Sequence, residues 1–338
     1  MEGKTLRWGI VGAGQIVSRW IRGARQAGIA VEAIAGRAPE RAQAAAQAYG
    51  IPRVLSCEAL VADEAIDIVY VATPHPAHKP WALEALRHGK HVLVEKPIAA
   101  SVPEAEAMVE SAKRHNCVFG VGHVERFNPA MDFLEKYAHE TRFVEAHRLA
   151  KYPPPRPGLP RRGTEVSVVL DLMIHDIDLL LHMVGSEVER FDVVGIPVLS
   201  KTEDLVNARI KFVNGSCATL TASRVSQEPL RRFRVFQENS YISMDYGRHF
   251  GMVIKRNRIG LTRKDVNLDE KNALYSELDD FIGAVNTTKM TGKVCDPRIP
   301  GVEGLKALRL AVEIEQEARR YNDHYGFKFS PCSPSDFE

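Results

Sequence analysis

Leu6-Arg-Trp-Gly-Ile-Val-Gly12-Ala-Gly14-Gln-Ile-Val17 decides the fold. A short apolar run ends on two glycines, and residues 16–27 continue with helical spacing, so the glycines stand where a first strand hands over to a first helix. In that context Gly12 permits a tight turn, while Gly14 lets a pyrophosphate approach backbone amides at a helix amino terminus, where the helix dipole favours negative charge. Gln15 and Ile16 open that helix and join the expected cofactor contacts. The third position of the fingerprint is Val17 rather than Gly or Ala, which sets helix and strand slightly further apart. An ordinary strand-to-helix turn is the plainer alternative.

Outward from this turn the alternation continues. Residues 30–35, 68–72, 91–94 and 118–122 read as strands, and residues 40–49, 78–88 and 102–115 as helices. This is the βαβ pattern of a parallel sheet. The last helix begins Ser101-Val-Pro-Glu104, which has capping-box form. In such sheets ligands bind beyond the carboxyl ends of strands. Thr73 and Pro74 follow one strand and are candidates for the nicotinamide ribose wall, with His78 opening the next helix. Glu95-Lys96-Pro97 follows another, placing an amine on the same edge, with Glu95 able to hold it. The second strand ends Ala35-Gly-Arg37, where an acidic residue would favour NAD. Arg37 stacks on adenine or pairs with a 2′-phosphate in one reading and is a solvated turn residue in the other, so NADP stays open beside NAD.

The second half has a different texture. A helix near 129–136 and a strand near 143–149 lead to a stretch with five prolines in residues 153–160, which must be a loop. Residues 166–183 read as a helix, residues 188–255 alternate as an antiparallel sheet with one covered face, and 270–285 and 304–321 close the chain as helices. In the first of these helices Asp171, His175, Asp178 and His182 form a polar stripe among apolar residues. A histidine suits removal of an alcohol proton, and a carboxylate one turn earlier fixes its tautomer or stabilises its cation. A satisfied polar network and a metal site at Asp171, His175 and Asp178 are the rival readings. No metal is expected, because an alcohol oxidised by a nicotinamide needs none when a base and a lysine are present. The expected division is 1–125 for the dinucleotide domain, 126–300 for a substrate and oligomerisation domain, and 301–338 for a terminal helix and tail, the helix returning near the first domain.

Composition narrows the classes. The chain has 338 residues, 45 Lys and Arg against 43 Asp and Glu, 26% charged and 45% hydrophobic residues. That is an ordinary globular profile, giving no reason to expect nucleic-acid binding. No uncharged run approaches the roughly 20 residues of a membrane span. The five cysteines are scattered without CxxC spacing, which argues for reduced thiols in a cytoplasmic protein.

GIVGAGQI, VATPHPAHKPWALEALRHGKHVLVEKPIA and DLMIHDIDLLL together resemble the glucose-fructose oxidoreductase, inositol dehydrogenase and rhizopine catabolism (Gfo/Idh/MocA) family. The resemblance implies a Rossmann doubly wound parallel sheet plus an α/β domain with an open, mostly antiparallel sheet that joins subunits into a homodimer or homotetramer. It implies Lys96 as catalytic lysine, His175 as acid/base, Asp171 as its helper and a cis Lys96–Pro97 bond. GHVERFNPA and SRVSQEPLRRFRVFQENSYISMDY are similar to a branch that oxidises the 3-hydroxyl of UDP-N-acetylglucosamine for lipid A assembly and favours NAD. A nucleotide-sugar substrate would then meet Arg126, Asn128, Arg156, Arg161 and Arg224, with Arg162 and Arg231 nearby in sequence. The rivals are a dehydrogenase of a free polyol, inositol or unactivated sugar, and a redox-silent cofactor-binding regulator. Pro157-Gly-Leu-Pro160-Arg161-Arg162 also has the form of an SH3 ligand, although a substrate-side loop is the preferred reading.

Overall fold

The computed structural model describes residues 6–156, 161–268 and 272–327. Contacts cluster into two units, one drawn from residues up to 127 and from 272–308, the other from 128–271 and from 309 onward. The sequence division was contiguous, whereas each unit is assembled from two separate stretches.

The first unit opens with β1 (Arg7–Val11), α1 (Gln15–Gln26), β2 (Ala30–Ala35), α2 (Pro39–Tyr49), β3 (Arg53–Val54), α3 (Cys57–Ala62), β4 (Ile68–Val71), α4 (His78–Arg87), β5 (His91–Glu95), α5 (Val102–Arg114) and β6 (Phe119–Gly122). All six strands pair in parallel, in the order β3-β2-β1-β4-β5-β6. This is the doubly wound order, with its switch point beside β1. The two-residue β3 was absent from the sequence reading. The α1 face that packs inward carries Val17, Trp20, Ile21 and Ala24, a spacing of one helical face. Trp20 stacks on Tyr70 with ring centroids 4.4 Å apart, and Trp8 lies 5.3 Å from Trp20. At α5 the expected capping box is replaced by a bond to the residue before the cap. Glu104 accepts from the Ala100 amide at 3.2 Å, while the Ser101 hydroxyl makes no capping bond.

The second unit contains α6 (Pro129–Tyr137), β7 (Phe143–Leu149), a π-helical turn at Val169–Met173, and α7 (Ile174–Val184). Seven further strands follow: β8 (Val188–Ile196), β9 (Leu205–Phe212), β10 (Cys217–Ser223), β11 (Leu230–Phe236), β12 (Ser240–Asp245), β13 (Phe250–Arg256) and β14 (Leu261–Asn267). They form a sheet ordered β14-β13-β12-β11-β7-β10-β9-β8, antiparallel except between β7 and β10. Alternation decides the faces. Val144, Ala146, Ala218, Leu220, Phe233 and Val235 are buried, with α7 against β7 and β10 and α6 against β12 and β13. The intervening residues are half-buried and include an aromatic row, Phe143, Phe236 and Tyr241. The helix expected from 166 is corrected at its start, because residues 169–173 wind as a π turn before regular helix begins.

Helices α8 (Ala273–Thr291) and α9 (Gly301–Tyr325) are the last of the described elements, each longer than periodicity suggested. Leu278, Phe281, Ala284 and Val285 of α8 join the core of the first unit with Trp8, Trp20 and Leu93, which explains why residues 272–308 belong there. Phe281 lies 5.8 Å from Trp8, so the parallel sheet is sealed by a helix encoded some 270 residues after its first strand.

Candidate active site

The carboxyl ends of β1, β4 and β5 are neighbours in the parallel sheet, so the segments after them converge. After β1, Gly12 has φ of 127°, and its amide donates to the Ala35 carbonyl at 2.8 Å. A Cβ there would lie 2.5 Å from the Ala72 carbonyl oxygen, so only glycine passes between β1 and the end of β4. Gly14 is the residue before α1, with nothing within 4 Å of where its Cβ would point. Among the described residues no side chain caps α1, and its first turn carries no acidic residue. These features leave amide dipoles for an anion to approach.

After β4, the Thr73 hydroxyl is buried and makes no hydrogen bond to another of the described residues. Pro74 is exposed beside it. An orphaned buried hydroxyl fits a polar ligand at that point. His78 is buried, with ring nitrogens 2.8 Å from the Thr73 carbonyl oxygen and 2.9 Å from the Pro97 carbonyl oxygen. It thus ties the segment after β4 to the segment after β5, and its ring is engaged by main chain. Burial pushes its pKa down to about 4, outweighing the two carbonyls that favour the cation.

After β5, Lys96 is half-buried and the Lys96–Pro97 bond is cis. Glu95 accepts a hydrogen bond from the Tyr70 hydroxyl. Burial, then the Glu95 charge, drives the Tyr70 phenol well above its ordinary value, so it remains a donor. Glu277 of α8 is also buried, and burial followed by the nearby Glu95 charge pushes its carboxyl up. Tyr70 was missed in the sequence, although a lone hydroxyl in the buried run Ile68–Val71 signals a partner. Arg37 is exposed just beyond β2.

In the second unit the π turn carries Asp171, and α7 begins immediately before His175. Both side chains are half-buried. The rest of the polar stripe divides by task. His182 pairs with Glu135 at 2.9 Å, and Asp178 is buried. Asp176, outside the predicted stripe, holds Arg148 of β7 through two 2.9 Å bonds.

Several expected substrate contacts have other occupations. Arg224 is 2% exposed, bonded to Asp204 at 2.6 Å and to the carbonyls of Gly163 and Val166 at 2.5 and 2.9 Å. That corrects its reading as a sugar contact, since a guanidinium so enclosed has no donor facing a ligand. Arg126 is likewise 2% exposed and pairs with Glu303 at 3.2 Å. Asn128 caps α6, accepting from the Ala130 amide at 3.0 Å. Arg161 donates to the Pro153 carbonyl and lies over the Tyr152 ring at 5.2 Å. Arg156 is half-buried, and the prolines 157 and 160 of the SH3-like motif lie outside the described residues.

Comparison with known proteins places both halves of the chain. Residues 6–123 match the oxidoreductase family with an NAD-binding Rossmann fold, and residues 140–243 match the Gfo/Idh/MocA C-terminal domain. The chain is 32% identical over 319 residues to UDP-N-acetylglucosamine 3-dehydrogenase of Acidithiobacillus ferrooxidans, covering 91% of this chain and 96% of that one. A solved structure of that enzyme superposes with a TM-score of 0.83, covering 94% and 98% of the two chains at 30% identity. Levoglucosan dehydrogenase in complex with NADH and levoglucosan, at 20% identity, shares the fold with a TM-score of 0.84 over 94% and 98%. The 1,5-anhydro-D-fructose reductase of Ensifer adhaerens is 34% identical over 190 residues, covering 54% of this chain and 57% of its own. With its glycine turn and both family domains in place, the chain belongs to the Gfo/Idh/MocA oxidoreductases and binds NAD on its Rossmann sheet.

Proposed function

We propose that this protein oxidises the 3-hydroxyl of UDP-N-acetylglucosamine to a ketone, giving a UDP-2-acetamido-3-oxo sugar in amino-sugar or lipid A biosynthesis in the cytoplasm. The observation that carries the reading is the 32% identity with a UDP-N-acetylglucosamine 3-dehydrogenase along nearly the whole of both chains. Bound NAD supplies the hydride acceptor. Gly12, Gly14, Gln15 and Ile16 would hold its pyrophosphate, Thr73 and Pro74 its ribose, and Glu95 and Lys96 would line the edge beside it. His78 supports those segments through their carbonyls. Lys96 orients and polarises the sugar hydroxyl by donating a hydrogen bond to its oxygen. His175 takes the hydroxyl proton, and Asp171 holds the imidazole and stabilises its cation. Arg156 and Arg161 remain candidates for the diphosphate. The half-buried sheet face bearing Phe143, Phe236 and Tyr241 supports assembly into a homodimer or homotetramer.

The test is a panel of UDP-sugars and free sugars followed by the absorbance of reduced nicotinamide, with Lys96→Met and His175→Asn alongside. Both variants should lose about 100-fold or more in kcat, and His175→Asn should bind NADH normally. Wild-type rates in both would remove the catalytic assignment. Failure of UDP to compete with substrate would favour a free sugar or polyol, a second reading supported by the similarity to the 1,5-anhydro-D-fructose reductase.

A further inference from the structure

Arg224 is too elaborately bonded to be a simple buried ion pair. Its Nε donates to Asp204, one Nη to Ser200 Oγ and Thr202 Oγ1 at 2.8 and 2.7 Å, and the other to the carbonyls of Gly163 and Val166. Asp204 is itself fixed by the amides of Val198, Leu199 and Ser200 at 2.6 to 2.8 Å. Thr202 Oγ1 donates to the same Val166 carbonyl at 2.9 Å, and the Val168 amide donates to the Glu203 carbonyl at 3.0 Å. The bonds to the Gly163 and Val166 carbonyls and from the Val168 amide tie this cluster to the stretch 163–168 that leads into the π turn. The Asp171 amide then donates back to the Ser167 carbonyl at 3.2 Å.

Gly163 completes the link. Its φ is +80°, and a Cβ there would lie 2.5 Å from Asp171 Oδ2 and 3.1 Å from Cγ. The backbone therefore walls one side of the Asp171 carboxylate at a distance that a methyl group cannot share. We propose that Gly163 and Arg224 are positioning residues for Asp171: the arginine pins the Gly163 carbonyl, and the bare glycine backbone sets where the carboxylate stands. The inference rests on the catalytic reading of Asp171 given above, and it converts a misread substrate arginine into a support for the acid/base pair.

The test is a double-mutant cycle on the full-length protein, using the sugar of the panel that the wild type oxidises fastest. Gly163→Ala should lower kcat by about 10- to 100-fold. NADH affinity should stay unchanged, and melting temperature reports folding. In an Asp171→Asn background the same substitution should cost almost nothing further, because the group it displaces is already disabled. Arg224→Lys keeps a charge for Asp204 but cannot span all the acceptors, and it should show the same loss and the same disappearance. Equal penalties in both backgrounds, or unchanged kcat in folded Gly163→Ala and Arg224→Lys, overturn the positioning role while leaving Asp171 its place. Wild-type kcat in Asp171→Asn alone overturns the reading of Asp171 and this proposal with it.

Discussion

Single residues set the titration behaviour of the first unit. His78 and His91 are both buried, and burial pushes each to about 4, against about 6.5 for a free imidazole. His91 accepts from the Val118 amide at 3.0 Å, which needs its Nδ1 unprotonated. Because the folded pKa lies below the unfolded one, the stability from these rings is complete above about pH 6.5 and declines as pH falls toward 4. Thermal melts from neutral to mildly acidic pH should show this loss, and His91→Gln should reduce its slope. Arg37 bears on cofactor choice instead. It is exposed beyond β2, where no carboxylate ends the strand. Arg37→Asp should raise the NAD to NADP ratio of kcat/KM by about tenfold, the worth of one charged hydrogen bond. Equal ratios in variant and wild type would release Arg37 from any phosphate contact. The glycine turn was legible because its signature is contiguous: Gly12-Ala-Gly14 stands directly between an apolar strand and a helical run. Arg224 and Arg126 were not, since their partners Gly163 and Glu303 stand 61 and 177 residues away.

At the scale of elements, the decisive irregularity is the π turn before α7. Sequence periodicity placed Asp171 and His175 at i and i+4 of a regular helix, but the inserted turn changes the angle between them. Periodicity reads apolar spacing over several turns and cannot register one widened turn whose residues, Val169 to Met173, are ordinary helix formers. The helix is stapled to the sheet by the Arg148–Asp176 pair, whose side chains are 4% and 5% exposed. Arg148→Met leaves a buried carboxylate uncompensated and should destabilise the protein by about 3–5 kcal/mol in denaturant titration. Replacing both partners with apolar residues should restore much of that loss.

For the molecule as a whole, the discontinuity of its units has a measurable consequence. Residues 1–127 contain every strand of the parallel sheet but lack Leu278, Phe281 and Val285. Burying three such side chains is worth about 5–9 kcal/mol, close to the entire net stability of a domain. A fragment ending at 127 should therefore fail to give a cooperative melt, and linking it to residues 272–308 should restore one with NADH binding. The βαβ order was readable from alternating strands and helices, while the return of α8 was not, because an amphipathic helix does not name the surface it covers.

Strand β14 closes the large sheet at one edge, and its Arg263, Lys264 and Asp265 are all exposed, facing Ile254, Val253 and Met252 across the ladder. An open edge is a template for further strands. Those charges act as insulation, making end-on growth of the sheet into a filament unfavourable. Chemical acetylation of Lys264 would thin that insulation, so the acetylated protein should associate end to end more readily than the unmodified one.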